Sequence, residues 1–108
     1  MIMVIDGKRY NTETSEMVYR WMNGCFYGDF RFRLKNLYRT RNGAWFIYHE
    51  GGAMTDMAIS VGSNGRGGSS KIEPVSKEDA FGFLQAHSDE SDALEAIEKY
   101  FADSIQDA

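Results

Sequence analysis

The stretch LYRTRNGAWFIYHEGG, residues 37–52, places an Asn-Gly pair between two segments with aromatic and aliphatic side chains. Asn-Gly is the strongest short-range signal of a β-hairpin, because both residues accept the positive φ angles of a two-residue type I′ turn. Such a loop fixes the pairing of the flanking strands and sets Tyr38 opposite Ile47. The sequence therefore predicts a hairpin within an antiparallel sheet.

The predicted register divides the side chains of this hairpin between two faces. The more apolar face, on which helices would pack, has Tyr38, Thr40, Trp45 and Ile47. The other face, expected to be partly exposed, mixes arginine with apolar side chains and has Leu37, Arg39, Arg41, Phe46 and Tyr48. The arginine stems could lie over the rings there, with their charged ends in water. Alternatively this face binds a partner, since Arg and Tyr are enriched in binding hot spots. The candidate residues are Arg39, Arg41, Phe46 and Tyr48.

Three elements are predicted before this hairpin. Residues 2–10, IMVIDGKRY, contain an Asp-Gly pair and predict a first hairpin. Residues 11–24, NTETSEMVYRWMNG, predict an N-terminal helix, because a capping residue precedes apolar residues at helical spacing. Residues 28–36, GDFRFRLKN, alternate apolar and charged side chains, which is typical of a half-buried strand.

The chain after the central hairpin ends in two predicted helices. Residues 55–62 predict a strand, the glycine-rich residues 62–70 a flexible loop, and residues 71–75 an edge strand, because Pro74 cannot donate to a central ladder. The segments SKEDAFGFLQAH and SDALEAIEKYFADSI predict the helices. The predicted fold is α+β, in one domain over residues 1–108: an antiparallel sheet of about five or six strands with one N-terminal helix and two C-terminal helices.

Charge is distributed unevenly along the chain. Residues 1–50 have eight Lys and Arg against five Asp and Glu, whereas residues 51–108 have four against eleven. One end could therefore favour acidic partners and the other basic partners, although both could simply be solvated surfaces. The acidic candidates for partner binding are Glu78, Asp79, Asp89, Glu90, Asp92, Glu95 and Glu98.

Residue types used in catalysis and metal binding are few and poorly placed. His49 and Glu50 are adjacent on a predicted strand, so their side chains point to opposite faces. The chain has a single cysteine, Cys25, and two histidines, at spacings that match no zinc pattern. The loop GSNGRGGSSK is not a phosphate-binding loop of the GxxxxGK[ST] type. We therefore predict no enzyme activity, no metal and no cofactor.

Location is predicted from the same sequence features. No apolar run approaches the roughly 20 residues that span a bilayer. The N-terminus lacks the basic and long apolar regions of a signal peptide. A lone cysteine cannot form an internal disulfide. These features predict a cytoplasmic protein with no membrane partner.

Six short segments occur in one order along residues 6–85: GKRYNTET, W-x-N-G, GDF, LYRTRNGAWF, EGG-x-M and S-x-E-D-A-F. In the order of these segments the chain resembles a group of small, largely uncharacterised proteins of phages and bacterial mobile elements. The genomic neighbourhood of these proteins is similar to that of anti-CRISPR proteins. The chain departs from the group at His49, where glycine is favoured, and at Ala53, where proline is favoured.

The resemblance implies a non-enzymatic inhibitor in the bacterial host cell. Its partner would be a host protein or ribonucleoprotein complex, such as a CRISPR effector, whose nucleic-acid binding it blocks. The alternative is a small protein that binds nucleic acid directly through the basic aromatic segment 30–48, where bases could stack on exposed rings. In that segment Arg31, Arg33 and Lys35 are expected on the exposed side of the strand.

Overall fold

Eight β-strands precede two α-helices in the computed structural model, which describes residues 1–108. The strands are β1 (Ile2–Ile5), β2 (Lys8–Asn11), β3 (Glu16–Met22), β4 (Arg33–Arg39), β5 (Trp45–Gly51), β6 (Ile59–Val61), β7 (Gly65–Gly67) and β8 (Ser69–Val75). The helices are α1 (Lys77–Ala86) and α2 (Ser91–Tyr100), and a short 3₁₀ turn follows at Ala102–Ser104. Both helices are too short and too polar to cross a bilayer.

The main sheet has four antiparallel strands in the order β3-β4-β5-β8. Strands β1 and β2 form a separate ribbon, as do β6 and β7. The α+β class and the two C-terminal helices are confirmed, but the predicted sheet of five or six strands is instead four strands and two ribbons. The radius of gyration is 15.4 Å, above the roughly 13 Å expected for this length, so the molecule is elongated.

The predicted N-terminal helix is wrong, because most of its second half forms β3. The register between β3 and β4 shifts between Met17 and Tyr19, which marks a bulge. An extra residue at a bulge interrupts the alternation of a strand, and it moved the apolar positions to a spacing that resembles a helical stripe. Asn11 and Thr12 were the two residues able to cap the predicted helix, but Asn11 instead accepts the N–H of Glu13 in a turn, at 2.9 Å.

The central hairpin has a three-residue loop rather than the predicted two-residue loop. The N–H of Gly43 donates to the carbonyl of Thr40 at 3.0 Å, and the N–H of Thr40 donates to Ala44 at 2.8 Å. Gly43 has a φ of +85°, as expected for a type I turn followed by a left-handed residue. Asn42 therefore occupies a turn position that needs no positive φ, and the strand register shifts by one residue.

The shifted register changes which side chains share a face. Tyr38 lies opposite Phe46, and their rings stack with centroids 5.0 Å apart. Phe46 is fully buried, so the prediction that it lies on a partly exposed face with Arg39 is wrong. Arg39 lies opposite Trp45 instead, with its guanidinium 5.9 Å from the centre of that ring.

The helices pack on the sheet face that contains Trp45 and Ile47, as predicted, but β4 contributes Leu37 to this face, whereas Tyr38, predicted there, lies on the opposite face. The ring of Trp45 lies 5.2 Å from that of Phe101, which stacks in turn on Phe81 at 4.9 Å. Helix α1 begins at the predicted cap, where Ser76 Oγ accepts the N–H of Asp79 at 3.0 Å. The fully buried core of this layer is Tyr19, Leu37, Trp45, Ile47, Ala80, Leu84, Ala93, Ala96, Ile97 and Phe101.

The opposite face of the sheet is covered by the β1-β2 ribbon. Tyr10 packs edge-to-face on Phe46 at 5.6 Å, and Ile72 completes this smaller core. The turn of the ribbon has positive φ at Asp6 and Gly7, which confirms the predicted first hairpin. The two sheet faces are therefore covered by different parts of the chain, the N-terminal ribbon and the C-terminal helices.

The boundaries of several strands differ from the sequence prediction, and β6 covers only Ile59–Val61 of the strand predicted over residues 55–62. Strand β4 begins only at Arg33, because residues 29–32 form a turn in which Asp29 Oδ1 accepts the N–H of Arg31 at 2.7 Å. Residues 65–67 of the predicted flexible loop form β7, paired with β6. Strand β8 is an edge strand with Pro74, as predicted, but it begins earlier, at Ser69.

Candidate interaction surface

The helices and the loop between them present seven carboxylates to solvent. These are Glu78, Asp79, Asp89, Glu90, Asp92, Glu95 and Glu98, and all seven residues are exposed. None of them forms an ion pair. We call this set the acidic helical layer. The layer therefore has no direct ion pair within the chain.

Glu90 is the member of this layer with a structural contact. The hydroxyl of Tyr19 donates to Glu90 Oε2 at 2.7 Å, which ties the start of α2 to β3. Burial raises the pKa of the Tyr19 hydroxyl, and the hydrogen bond to Glu90 raises it further. The hydroxyl therefore stays protonated and continues to donate, and Glu90 is in part a structural residue.

Three of the acids follow one another along α2. These acids occur at every third position, Asp92, Glu95 and Glu98. Residues three positions apart in a helix are neighbours on its surface. Lys99 is the nearby cation of this helix, and its Nζ lies 3.7 Å from Glu16 of β3. The three carboxylates therefore form a row that Lys99 does not neutralise.

A groove of about 410 Å³ separates this row from the edge of the sheet. It is lined by Glu16, Met17, Val18, Tyr19, Arg20, Asp92, Glu95, Ala96, Lys99 and Tyr100. The sequence singled out Asp92 and Glu95 but missed Glu16 and the edge of β3. It missed them because this part of the chain was predicted to be helical.

Strand β3 forms an open edge of the four-stranded sheet. The N–H of Asn23 donates to Arg33 at 3.2 Å, and antiparallel pairs alternate between bonded and non-bonded. The main-chain groups of Arg20 and Met22 therefore point away from β4, toward solvent. The bulge near Met17 bends the strand, which limits edge-to-edge pairing with other strands.

The four hairpin residues singled out by the sequence do not form one surface. Arg39 and Arg41 are exposed, Phe46 is buried and Tyr48 is half-buried. The Tyr48 hydroxyl donates to Glu50 at 2.6 Å. Burial, followed by this hydrogen bond, raises the pKa of Tyr48 to about 12. The ring of Phe46 is therefore not accessible for stacking on a base.

Arg33 and His49 form the buried centre of a network, although the sequence placed Arg33 among the exposed basic residues. Arg33 is 7% exposed and His49 is 6% exposed. Arg33 Nη2 donates to His49 Nδ1 at 2.8 Å, and His49 Nε2–H donates to Glu73 Oε1 at 2.8 Å. Arg33 also holds Asp56 with two hydrogen bonds, at 2.7 and 3.1 Å. We call these four residues the Arg33–His49 network.

The protonation state of His49 follows from this geometry. An arginine cannot accept a hydrogen bond, so Nδ1 is the unprotonated nitrogen and Nε2 has the proton. Burial lowers the pKa of His49, and the charge of Arg33 lowers it further, although Glu73 opposes both. Both ring nitrogens have partners, and Glu50 points to the other face to meet Tyr48. The expected separation of His49 and Glu50 is confirmed.

A loop of exposed aromatic residues was missed by the sequence prediction. Phe26, Tyr27 and Phe30 are 88%, 76% and 67% exposed. Met54 is 69% exposed and donates its N–H to the carbonyl of Phe30 at 2.8 Å. We call Phe26, Tyr27 and Phe30 the aromatic loop, and Met54 adjoins it. The nearby Gly24 and Gly28 have positive φ, and these glycines were the sequence signal of turns in place of a strand.

No family model, no curated protein and no solved structure matches this chain. The role of each candidate surface is therefore inferred from its own charge and exposed apolar area. The acidic helical layer has unpaired charge, and the aromatic loop has exposed apolar area. Surfaces of both kinds are used in protein recognition, the first to attract a partner and the second to anchor it.

Proposed function

We propose that this protein is a non-enzymatic inhibitor that binds a cationic, nucleic-acid-binding complex through the acidic helical layer. The observation that supports the proposal is the set of seven exposed carboxylates, none of which has a cationic partner within the chain. A groove that holds DNA or RNA is lined by Lys and Arg. An unpaired acidic surface attracts such a groove and competes with phosphates for the same cations.

The row formed by Asp92, Glu95 and Glu98 is the part of the layer best placed for this contact. It borders the groove beside β3, which gives a partner side chain a concave place to enter. A lysine or arginine from the partner would meet Asp92 and Glu95 there, next to the open edge of the sheet. Charge would steer the encounter, and the groove would fix its orientation.

The class of partner comes from the resemblance to phage and mobile-element proteins. A small inhibitor from such an element would act on a defence complex of the bacterial host, and a CRISPR effector complex has the cationic nucleic-acid groove that the acidic helical layer would fit. In this proposal the protein acts in the bacterial cytoplasm, where such complexes bind their targets.

The proposal is tested in a host strain with an active CRISPR system. Expression of the wild-type protein should restore plaque formation by a targeted phage, and the tagged protein should recover the effector complex from a lysate. Asp92→Lys/Glu95→Lys should lose both properties. Glu13→Lys/Asp107→Lys makes the same charge change at exposed residues outside the layer and should retain them. Failure of the wild-type protein in both assays would reject the proposal.

A further inference from the structure

A cleft of about 560 Å³ lies between the β1-β2 ribbon and the turn of the central hairpin. Its lining residues come from β2 and the turn after it, and from the hairpin turn. They are Lys8, Arg9, Tyr10, Asn11, Thr14, Ser15, Thr40, Arg41, Asn42 and Ala44. The volume is within the range of about 300–1,000 Å³ that is usual for small-molecule sites. We call this feature the basic cleft.

The charge of the basic cleft has one sign. Its lining includes Lys8, Arg9 and Arg41 and no carboxylate. None of these three cations forms an ion pair or a side-chain hydrogen bond in the protein, and all three are exposed. Three like charges around one concavity repel each other unless an anion lies between them. This concentration of positive charge occurs in a chain whose net charge is −4.

Neutral hydrogen-bond donors complete the lining. The side chains of Thr14, Ser15 and Asn42 make no hydrogen bond within the protein, although they line the cleft. The Tyr10 hydroxyl is also without a partner, and no buried polar atom is left unsatisfied, so this hydroxyl reaches solvent. Lys, Arg, Ser, Thr, Asn and Tyr side chains are the ones that bind phosphate oxygens in nucleic-acid complexes.

The walls of the basic cleft are held by contacts that do not depend on a ligand. Tyr10 is buried against Phe46. Thr40 Oγ1 accepts the N–H of Ala44 at 3.0 Å, which fixes the hairpin turn. Asn11 Oδ1 accepts the N–H of Glu13 at 2.9 Å, which fixes the turn after β2. The backbone segments that present the donors are thus fixed before any ligand binds, which reduces the entropy cost of binding.

We propose that the basic cleft binds a ligand with two or more phosphate groups, either a nucleoside polyphosphate or a stretch of nucleic-acid backbone. Recognition is through the phosphates, because the one aromatic residue of the lining, Tyr10, is already packed edge-to-face on Phe46. No second ring lines the cleft to stack on a base. The site is on the ribbon side of the sheet, opposite the helices, so it is independent of the proposed inhibitory surface.

Binding is measured by titrating the full-length protein at low salt with three separate ligands: pyrophosphate, ATP and a fluorescein-labelled dT12 oligonucleotide. Lys8→Glu/Arg41→Glu should weaken binding at least tenfold. Lys71→Glu/Lys77→Glu makes the same change in net charge at exposed residues outside the cleft and should change the affinity less than twofold. Unchanged circular dichroism and melting temperature would show that both variants fold.

The salt dependence of oligonucleotide binding measures the number of phosphates that the protein contacts. If all three cations meet phosphates of a single strand, raising salt from 50 to 200 mM should weaken oligonucleotide binding by roughly 20-fold. Tighter binding of the oligonucleotide than of ATP identifies a nucleic-acid backbone as the ligand, whereas equal or tighter ATP binding identifies a nucleoside polyphosphate. Either result supports the site. Absence of binding by all three ligands at low salt and millimolar concentration would overturn it, as would equal loss in the two double variants.

Discussion

The guanidinium of Arg33 donates a hydrogen bond to Nδ1 of His49 across 2.8 Å, with both residues almost fully buried. This contact requires a neutral imidazole, because a protonated ring would turn the acceptor into a second cation beside the arginine. Strands β4 and β5 are thus joined by a side-chain contact that protonation breaks.

Stability should therefore depend on pH through His49. Its pKa lies below the ordinary 6.5 in the folded protein, mainly because of burial. The unfolded chain then binds more protons between the folded pKa and 6.5, so the free energy of unfolding rises with pH in that interval. The stabilisation is complete above about pH 6.5 and is lost as the pH falls through the folded value.

Urea denaturation from pH 4.5 to 7.5 measures this effect. His49→Gln should flatten the profile in that interval, because glutamine can accept from Arg33 and donate to Glu73 without titrating. His87→Gln, which removes an imidazole outside the network, is the matched control. An unchanged slope in His49→Gln would mean that His49 is not the titrating group.

The hairpin register predicts the cost of truncating Phe46. In the observed register Phe46→Ala should destabilise by about 3–5 kcal/mol, as for other buried aromatics, and Trp45→Ala should cost about the same. Arg41→Ala, at an exposed position, should change stability by less than about 0.5 kcal/mol. Thermal or urea unfolding measures all three. A small cost for Phe46→Ala would contradict the packing of this ring against Tyr10 and Tyr38.

Replacement of glycine by alanine should have opposite effects on stability at two positions. Gly43 has a φ of +85°, so Gly43→Ala should cost about 1–2 kcal/mol, since a side chain disfavours this left-handed conformation. Gly82 lies inside α1, with open space where a Cβ would be. Gly82→Ala should therefore stabilise by about 0.5–1 kcal/mol. Unfolding curves of both variants check this pair, and equal signs would contradict the described backbone.

The aromatic loop should be dispensable for folding. Phe30→Ser should change the free energy of unfolding by less than about 0.5 kcal/mol, because the ring is already in water. Phe32, two residues later, is only 5% exposed, and Phe32→Ala should cost about 3–5 kcal/mol. Denaturation in urea separates the two cases. A large loss in Phe30→Ser would mean that this ring is packed in solution and is not free for a partner.

Much of the fold is predictable from local patterns. The Asp6-Gly7 turn, the edge position of the strand with Pro74 and the Ser76 cap of α1 each depend on a neighbourhood of a few residues. A glycine that accepts positive φ or a proline without an N–H acts in the same way in almost any tertiary context. These local rules therefore held.

The wrong predictions occurred where one extra residue changes the alternation of side chains along a strand. The bulge beside Met17 turned a strand into an apparent helix, and one extra loop residue exchanged the faces on which Leu37 and Tyr38 lie relative to Trp45 and Phe46. Side chains alternate with a period of two in strands, so a slip of one residue reverses every assignment that follows. Sequence patterns determine such slips poorly, because they depend on packing across the whole sheet.

The candidate sites also divide into features set by local sequence, which were predicted, and features set by tertiary packing, which were not. Exposure of the acidic residues follows from their type and their helical spacing, and all seven lie where solvent reaches them. The Arg33–His49 network and the basic cleft combine residues distant in sequence, such as Arg33 with Asp56 and Lys8 with Arg41. Only the pairing of strands and the packing of the ribbon bring these residues together. A sequence pattern has no means of showing that proximity.

The proposed inhibition requires that the acidic helical layer compete with nucleic acid for a cationic groove. Its most direct test is fluorescence anisotropy of labelled target nucleic acid bound to a purified host CRISPR effector complex, titrated with this protein. The wild-type protein should displace the nucleic acid, and Asp92→Lys/Glu95→Lys should need about tenfold more protein for half-displacement, whereas Glu13→Lys/Asp107→Lys should behave as wild type. Absence of displacement by the wild-type protein, or equal displacement by all three proteins, would contradict the proposal.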